Sequence, residues 1–142
     1  MRSQSQKPIR DIILVPCFRS CHILSSIALS KTQIIEKRNN LLKNFPFDDG
    51  FHFFVELGKY TGITASSTVE FAEKIQIIPI QSVTFHFRRQ DFQNWFKNTI
   101  SDEELAKRFD QIKTEGLSEE DLRKELTRTV QRRIAELMKS SQ

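Results

Sequence analysis

Cysteine is nearly missing from this chain. Cys17 and Cys21 are the only two, both in the N-terminal third, so there is no disulfide framework. A thiol-free remainder fits a reducing cytoplasm, and a cytoplasmic location is expected. Glycine is scarce, and Gly50, Gly58, Gly62 and Gly116 stand isolated, which excludes a glycine-rich phosphate loop. There is no Gly-x-Ser-x-Gly elbow and no His-Glu-x-x-His helix. Three histidines without a clear carboxylate pair leave an enzyme reading little support. We assign no catalytic residue, no metal site and no cofactor. Long apolar runs are also lacking. Ile12–Leu29 is moderately apolar but is interrupted by Pro16, Arg19 and His22, making it a poor membrane span. Its apolar start, Ile12–Phe18, is short for a signal peptide and follows Asp11. No membrane partner is expected.

What is present is phenylalanine and an uneven charge. Twelve Phe against one Tyr and one Trp supply apolar area without a polar handle, which points to a core. Residues 1–45 carry eight basic side chains (Arg2, Lys7, Arg10, Arg19, Lys31, Lys37, Arg38, Lys43) and two acidic ones (Asp11, Glu36), a net of +6. Residues 46–142 carry 14 basic and 16 acidic side chains, a net of −2. We read 1–45 as a basic N-terminal extension, expected to be partly disordered and able to form a helix over 31–45, and 46–142 as a single compact domain. Scattered basic residues usually make a solvated arm; their alternative use is nucleic-acid binding through counterion release.

The apolar pattern predicts an α+β fold: an N-terminal β-hairpin packed with several amphipathic helices, and a helix-rich C-terminal half. Phe51–Leu57 reads as a strand, Gly58–Gly62 as a turn region and Ile63–Ala65 as a short return strand. Ser67 with Glu70 forms a capping box for a helix whose stripe is Phe71, Ile75 and Ile78, stopped by Pro79. Residues 80–89 fit either a strand or a short helix. Asp91 is placed as N-cap of a helix over Phe92–Ile100, and Ser101 with Glu104 as the next capping box. Ile100 with Leu105, and Leu117 with Leu122, are placed as hydrophobic staples, and Gly116 as a helix stop. Ser118 caps a last helix in which Leu122, Leu126, Val130, Ile134 and Leu137 form the clearest amphipathic stripe. Arg123, Lys124, Arg128, Arg132, Arg133 and Lys139 are placed opposite it. That stripe packs on its own domain or pairs with a second copy.

Few motifs carry chemistry. Cys17-x3-Cys21-His22 is one residue too long for the haem-attachment pattern and one ligand short of a closed zinc site. The aromatic strand residues with Phe85 and Phe87 suit base stacking in principle, but the RNA-recognition signature is absent and core packing is the better account. The segment His86–Trp95 is the candidate site. It gathers an imidazole, two guanidinium groups, a carboxylate and an indole in ten residues, and His86, Arg88, Arg89, Asp91 and Trp95 are the candidate ligand-binding residues. The structural alternative has Asp91 capping a helix, Phe92 and Trp95 in the core, the arginines solvated or paired with the acidic Ser101–Glu104 turn, and His86 fixing the corner.

The run from Thr61-Gly62 through Ser67, Glu70-Phe71, Ser82-Val83, Phe85-His86, Asp91-Phe92, Trp95 and Asp102-Glu103-Glu104-Leu105-Ala106 resembles a family of archaeal and bacterial proteins known only as a domain of unknown function. Its signature is His-x4-Asp-Phe-x2-Trp, followed by a Leu-Arg-x-x-Leu helix, here Leu122–Leu126. The resemblance covers roughly residues 50–138 and departs at Ser101, where Gly is expected. It implies no particular activity, and it singles out His86, Asp91 and Trp95. The expected role is a non-catalytic binding or regulatory module for a partner protein or a small anionic ligand, the alternative being a nucleic-acid-binding protein using the basic arm.

Overall fold

The computed structural model describes residues 30–140. The chain divides into two units, Met1–Gln33 and Ile34–Gln142. Helix α1 (Lys31–Leu42) ends three residues short of the expected Phe45. A short 3-10 turn, Phe47–Asp49, leads into strand β1 (Phe51–Glu56), which pairs antiparallel with β2 (Lys59–Ala65). Helices α2 (Thr68–Lys74), α3 (Ile80–Arg88), α4 (Asp91–Trp95), α5 (Glu103–Asp110) and α6 (Glu119–Lys139) follow. The protein is an α+β fold with one hairpin and a helix-rich C-terminal half.

Side-chain alternation decides the hairpin. Phe51 and Phe53 face the core, while His52 and Phe54 stay half-buried on the other side. The return strand is longer than its apolar residues indicate: Lys59–Thr61 pair as well, and the turn shrinks to Leu57-Gly58 with Gly58 at φ 79°. Two register shifts in β1 absorb the mismatch.

At Gly50 the backbone approaches β2 too closely for a side chain, since a Cβ there would sit 2.7 Å from Thr64 Cγ2 and 3.0 Å from the Ala65 carbonyl oxygen. The capping box of α2 forms with a shift. Ser67 Oγ accepts from the Glu70 N–H at 3.2 Å, but the Glu70 carboxylate reaches one residue further back, to the Ser66 N–H at 2.8 Å. That bond holds the Glu70 carboxyl below the usual range.

Residues 80–88 are helix. Strand propensity in Val83–Phe87 yields to burial on one helical face, where Val83 and His86 are enclosed. Asp91 is not the N-cap of α4. Gln90 occupies that position in the left-handed region (φ 60°, ψ 24°) without a side-chain cap, and Asp91 begins the helix with its carboxylate turned back toward α3. After Trp95 the helix widens into a π-helical turn, Phe96–Ile100. Ser101 closes it at φ 65°, the conformation that a glycine at this position would take without strain. With Ser101 so placed, Asp102 becomes the cap of α5, accepting from the Leu105 N–H at 3.3 Å. Helix α5 ends at Asp110, well before Gly116.

The core is continuous across the hairpin and helices: Phe53, Phe71, Phe92, Phe96, Phe109, Leu105 and Leu126 are all fully enclosed. Ile100 and Leu105 are both buried as a staple requires, whereas Leu117 remains largely exposed. Two basic residues expected on the solvent face of α6 are structural. Arg133 forms a two-pronged ion pair with Asp102 (2.9 Å and 2.9 Å), and both residues are buried. Arg123 donates to the carbonyls of Ile75 (2.9 Å) and Ile78 (2.8 Å), satisfying groups left open after α2. Pairing of α6 with a second copy would have to use what this packing leaves exposed.

Candidate functional site

Helix α3 lies against β1, and the corner where α3 turns into α4 is fixed by His86. The imidazole is 4% exposed. Its Nε2 lies 2.8 Å from the backbone nitrogen of Phe54, which carries an obligatory hydrogen, so Nε2 is the acceptor. Nδ1 therefore holds the proton and donates to Asp91 Oδ2 at 2.8 Å. Burial pushes the imidazole below its ordinary value and Arg89 adds to the effect, against the opposing pull of Asp91. The ring is held neutral in one tautomer, with both nitrogens engaged. Rings of Phe51 (4.9 Å), Phe85 (5.0 Å) and Phe92 (5.7 Å) surround it.

Asp91 also accepts from Arg89 Nε at 3.1 Å. The Arg89 guanidinium stacks over the Phe85 ring at 5.2 Å, while half of its side chain (49%) remains in solvent. Trp95 is buried and donates its indole N–H to the Asp49 carbonyl at 2.9 Å. His86, Arg89, Asp91 and Trp95 thus line one open cleft of about 410 Å³ between β1, the hairpin turn and α3. Its remaining walls are mostly apolar: Phe54, Phe85 and Leu57.

Arg88 is not brought to this cleft. It lines a separate cavity of about 570 Å³ with Gln93, Phe109 and Glu119. The arginines do not pair with the Ser101–Glu104 turn, where Asp102 is taken by Arg133.

Residues outside the predicted segment complete the cleft. His52 lines it, with its Nδ1 2.7 Å from Thr64 Oγ1, and Tyr60 meets the same hydroxyl. Phe54 and Leu57 carry the far wall, Leu57 at 77% exposure. Side-chain alternation over Phe51–Phe54 is the signal that separates Phe54 and His52 from the core aromatics. Phe87, weighed with them as a stacking residue, lines the other cavity.

An imidazole paired to a carboxylate resembles a general base, but the nitrogen that would take a substrate proton is bonded to a backbone amide. Among the described residues no group of His, Cys, Asp and Glu is placed to hold a metal ion, and no helix is long and apolar enough to cross a membrane. Cys17, Cys21 and His22 lie outside the described residues, as do Arg2, Lys7, Arg10 and Arg19.

No curated protein and no solved structure matches the chain. A family model does, described as a family of unknown function (DUF5752), over residues 24–131. The matched range starts within the basic N-terminal stretch and includes the whole corner from His86 to Trp95. Spanning most of the sequence, the match makes this chain a member of the DUF5752 family.

Proposed function

We propose that the protein is a non-catalytic binding module that receives a partner protein or a small anionic ligand in the cleft beside His86. The observation that carries this reading is the contrast inside the corner. His86 is closed off, with both ring nitrogens engaged and the ring enclosed by aromatics, while the cleft next to it is open, largely apolar and edged by a half-exposed guanidinium. A volume of about 410 Å³ falls within the range of ligand-binding clefts. Few converging polar groups among apolar walls are the usual composition of such sites.

Trp95 is the only tryptophan and lines the cleft, so it is a built-in reporter. The test is a small-molecule fragment set followed by Trp95 fluorescence and by backbone amide shifts. Binding that moves the amides of β1 and the α3–α4 corner supports the proposal. Shifts confined to other surfaces, or turnover of a bound compound, would reject it. The nucleic-acid alternative rests on basic residues of which four lie outside the described range, and gel shift at two salt concentrations tests it separately.

A further inference from the structure

The chemistry of the cleft narrows what it takes. Among the described residues lining it, Arg89 is the only lysine or arginine. Two carboxylates also line it, and each already has a partner: Glu56 pairs with Lys59 at 2.6 Å, and Asp91 with His86 and Arg89. Neither calls for a cationic ligand.

The guanidinium is held from two sides. Its Nε is held by Asp91, and its Cζ sits over the Phe85 ring, 5.2 Å from the centroid. Among the described residues it pairs with no carboxylate other than Asp91. An arginine carries five donors in a planar fork, so one bonded through Nε keeps its terminal nitrogens for a second, two-pronged acceptor. Carboxylates match that fork. Phe54 and Leu57 line the same cleft, and Leu57 stands 77% exposed at the hairpin turn.

Resting on the binding-module reading, we infer that the cleft recognises a carboxylate attached to an apolar body, with Arg89 taking the carboxylate and Phe54 and Leu57 the body. The carboxylate has two sources of the same chemistry: a small free acid, or the C-terminal carboxyl of a chain that ends in an apolar residue. Phe85 and Asp91 act as positioning residues for the guanidinium.

Four probes on the full chain test this, read by Trp95 fluorescence and amide shifts: 4-phenylbutyrate, 4-phenylbutanol, an acetylated tetrapeptide ending in Phe with a free carboxyl, and the same peptide amidated. Each acid is expected to bind at least tenfold more tightly than its neutral counterpart. Arg89→Lys keeps the charge but loses the fork and the stacking, and is expected to weaken both acids about tenfold; Arg88→Ala is expected to leave them unchanged. Arg88 and Arg89 are both exposed, so both variants should fold, and an unchanged melting temperature verifies it. Tighter binding of the peptide than of phenylbutyrate points to a chain terminus, and the reverse to a free acid; either supports the inference. Equal binding of acids and neutral probes at the cleft overturns the carboxylate assignment and leaves the binding-module reading standing. If no probe moves the cleft amides, the inference falls. If the fragment set also fails there, the binding-module reading falls with it.

Discussion

Removing His86 tests whether the corner is built as described. The ring makes two hydrogen bonds of 2.8 Å, one to the Phe54 amide and one to Asp91, and packs against Phe51, Phe85 and Phe92. In His86→Ala the part-buried Phe54 N–H loses its partner, Asp91 loses a donor, and the ring contacts are lost. An unpaired amide in this part-buried position costs about 1 kcal/mol, the low end of the range for buried groups, and each lost bond about 1 kcal/mol, so with the packing loss the sum is about 3–4 kcal/mol. For a domain of this size that lowers the melting temperature by about 10–20 °C. His86→Gln keeps one acceptor and one donor on a longer, unringed side chain, so its loss should be intermediate.

Acidity supplies a second readout. Because burial lowers the folded-state value below the ordinary 6.5, the neutral ring's contribution is fully present above that pH. As the pH falls from 6.5 toward the lower folded value, the unfolded chain binds a proton that the native state excludes. Stability is then lost at up to about 1.4 kcal/mol per pH unit, and His86→Gln should lack this component. Urea unfolding followed by circular dichroism at pH 7.5, 6.5 and 5.5 measures both effects. A Gln variant as stable as the parent, or a parent-minus-variant difference that stays flat across that range, would refute the reading of His86 as a buried neutral strut.

Three further substitutions probe the frame around the cleft. Arg133→Met leaves Asp102 as a buried charge without its partner and should cost about 3–5 kcal/mol in denaturant unfolding while leaving cleft binding intact in the folded fraction. Ser101→Gly relieves a left-handed residue and should raise stability by about 0.5–1 kcal/mol, whereas Ser101→Val should lower it; melting curves of the two variants decide this. Gly50→Ala places a methyl against Thr64 and should destabilise by about 1–3 kcal/mol. Adding Thr64→Ser removes the clashing methyl but keeps the hydroxyl, and a double-mutant cycle should show partial recovery.

Much of the fold was legible because it rests on local rules. The Ser67 and Ser118 caps form where a hydroxyl followed by an acidic first turn places them, since both partners lie within one helical turn. The stripe of α6 from Leu122 to Leu137 faces the core because a 3.6-residue period aligns those positions on one side. Misplacements occurred where two local signals competed. Asp91 looks like a cap in isolation, but the left-handed Gln90 takes the cap position and frees the Asp91 carboxylate for His86 and Arg89. Ser101 looks like a cap, yet it closes the preceding π turn and passes capping to Asp102. Residues 80–89 were undecidable because a short apolar run satisfies either period until its burial partner is known.

The candidate segment shows the same division. His86, Arg89, Asp91 and Trp95 were identifiable from residue type and proximity in sequence, and they do line one cleft. Arg88 is adjacent to them in sequence, but successive helical residues point about 100° apart, and it lines a different cavity. The Phe54 amide that fixes the His86 tautomer is 32 positions away, and Arg133 is 31 positions from Asp102. The sequence by itself determined the hairpin, the long amphipathic helix and the polar-aromatic composition of the corner, because periodicity and capping act over a few residues. Only the tertiary structure decided that His86 is a neutral strut, that Arg89 edges an open cleft and that Arg133 is buried. Those outcomes depend on groups from distant segments meeting across the core, and no local pattern encodes which buried donor will find which acceptor.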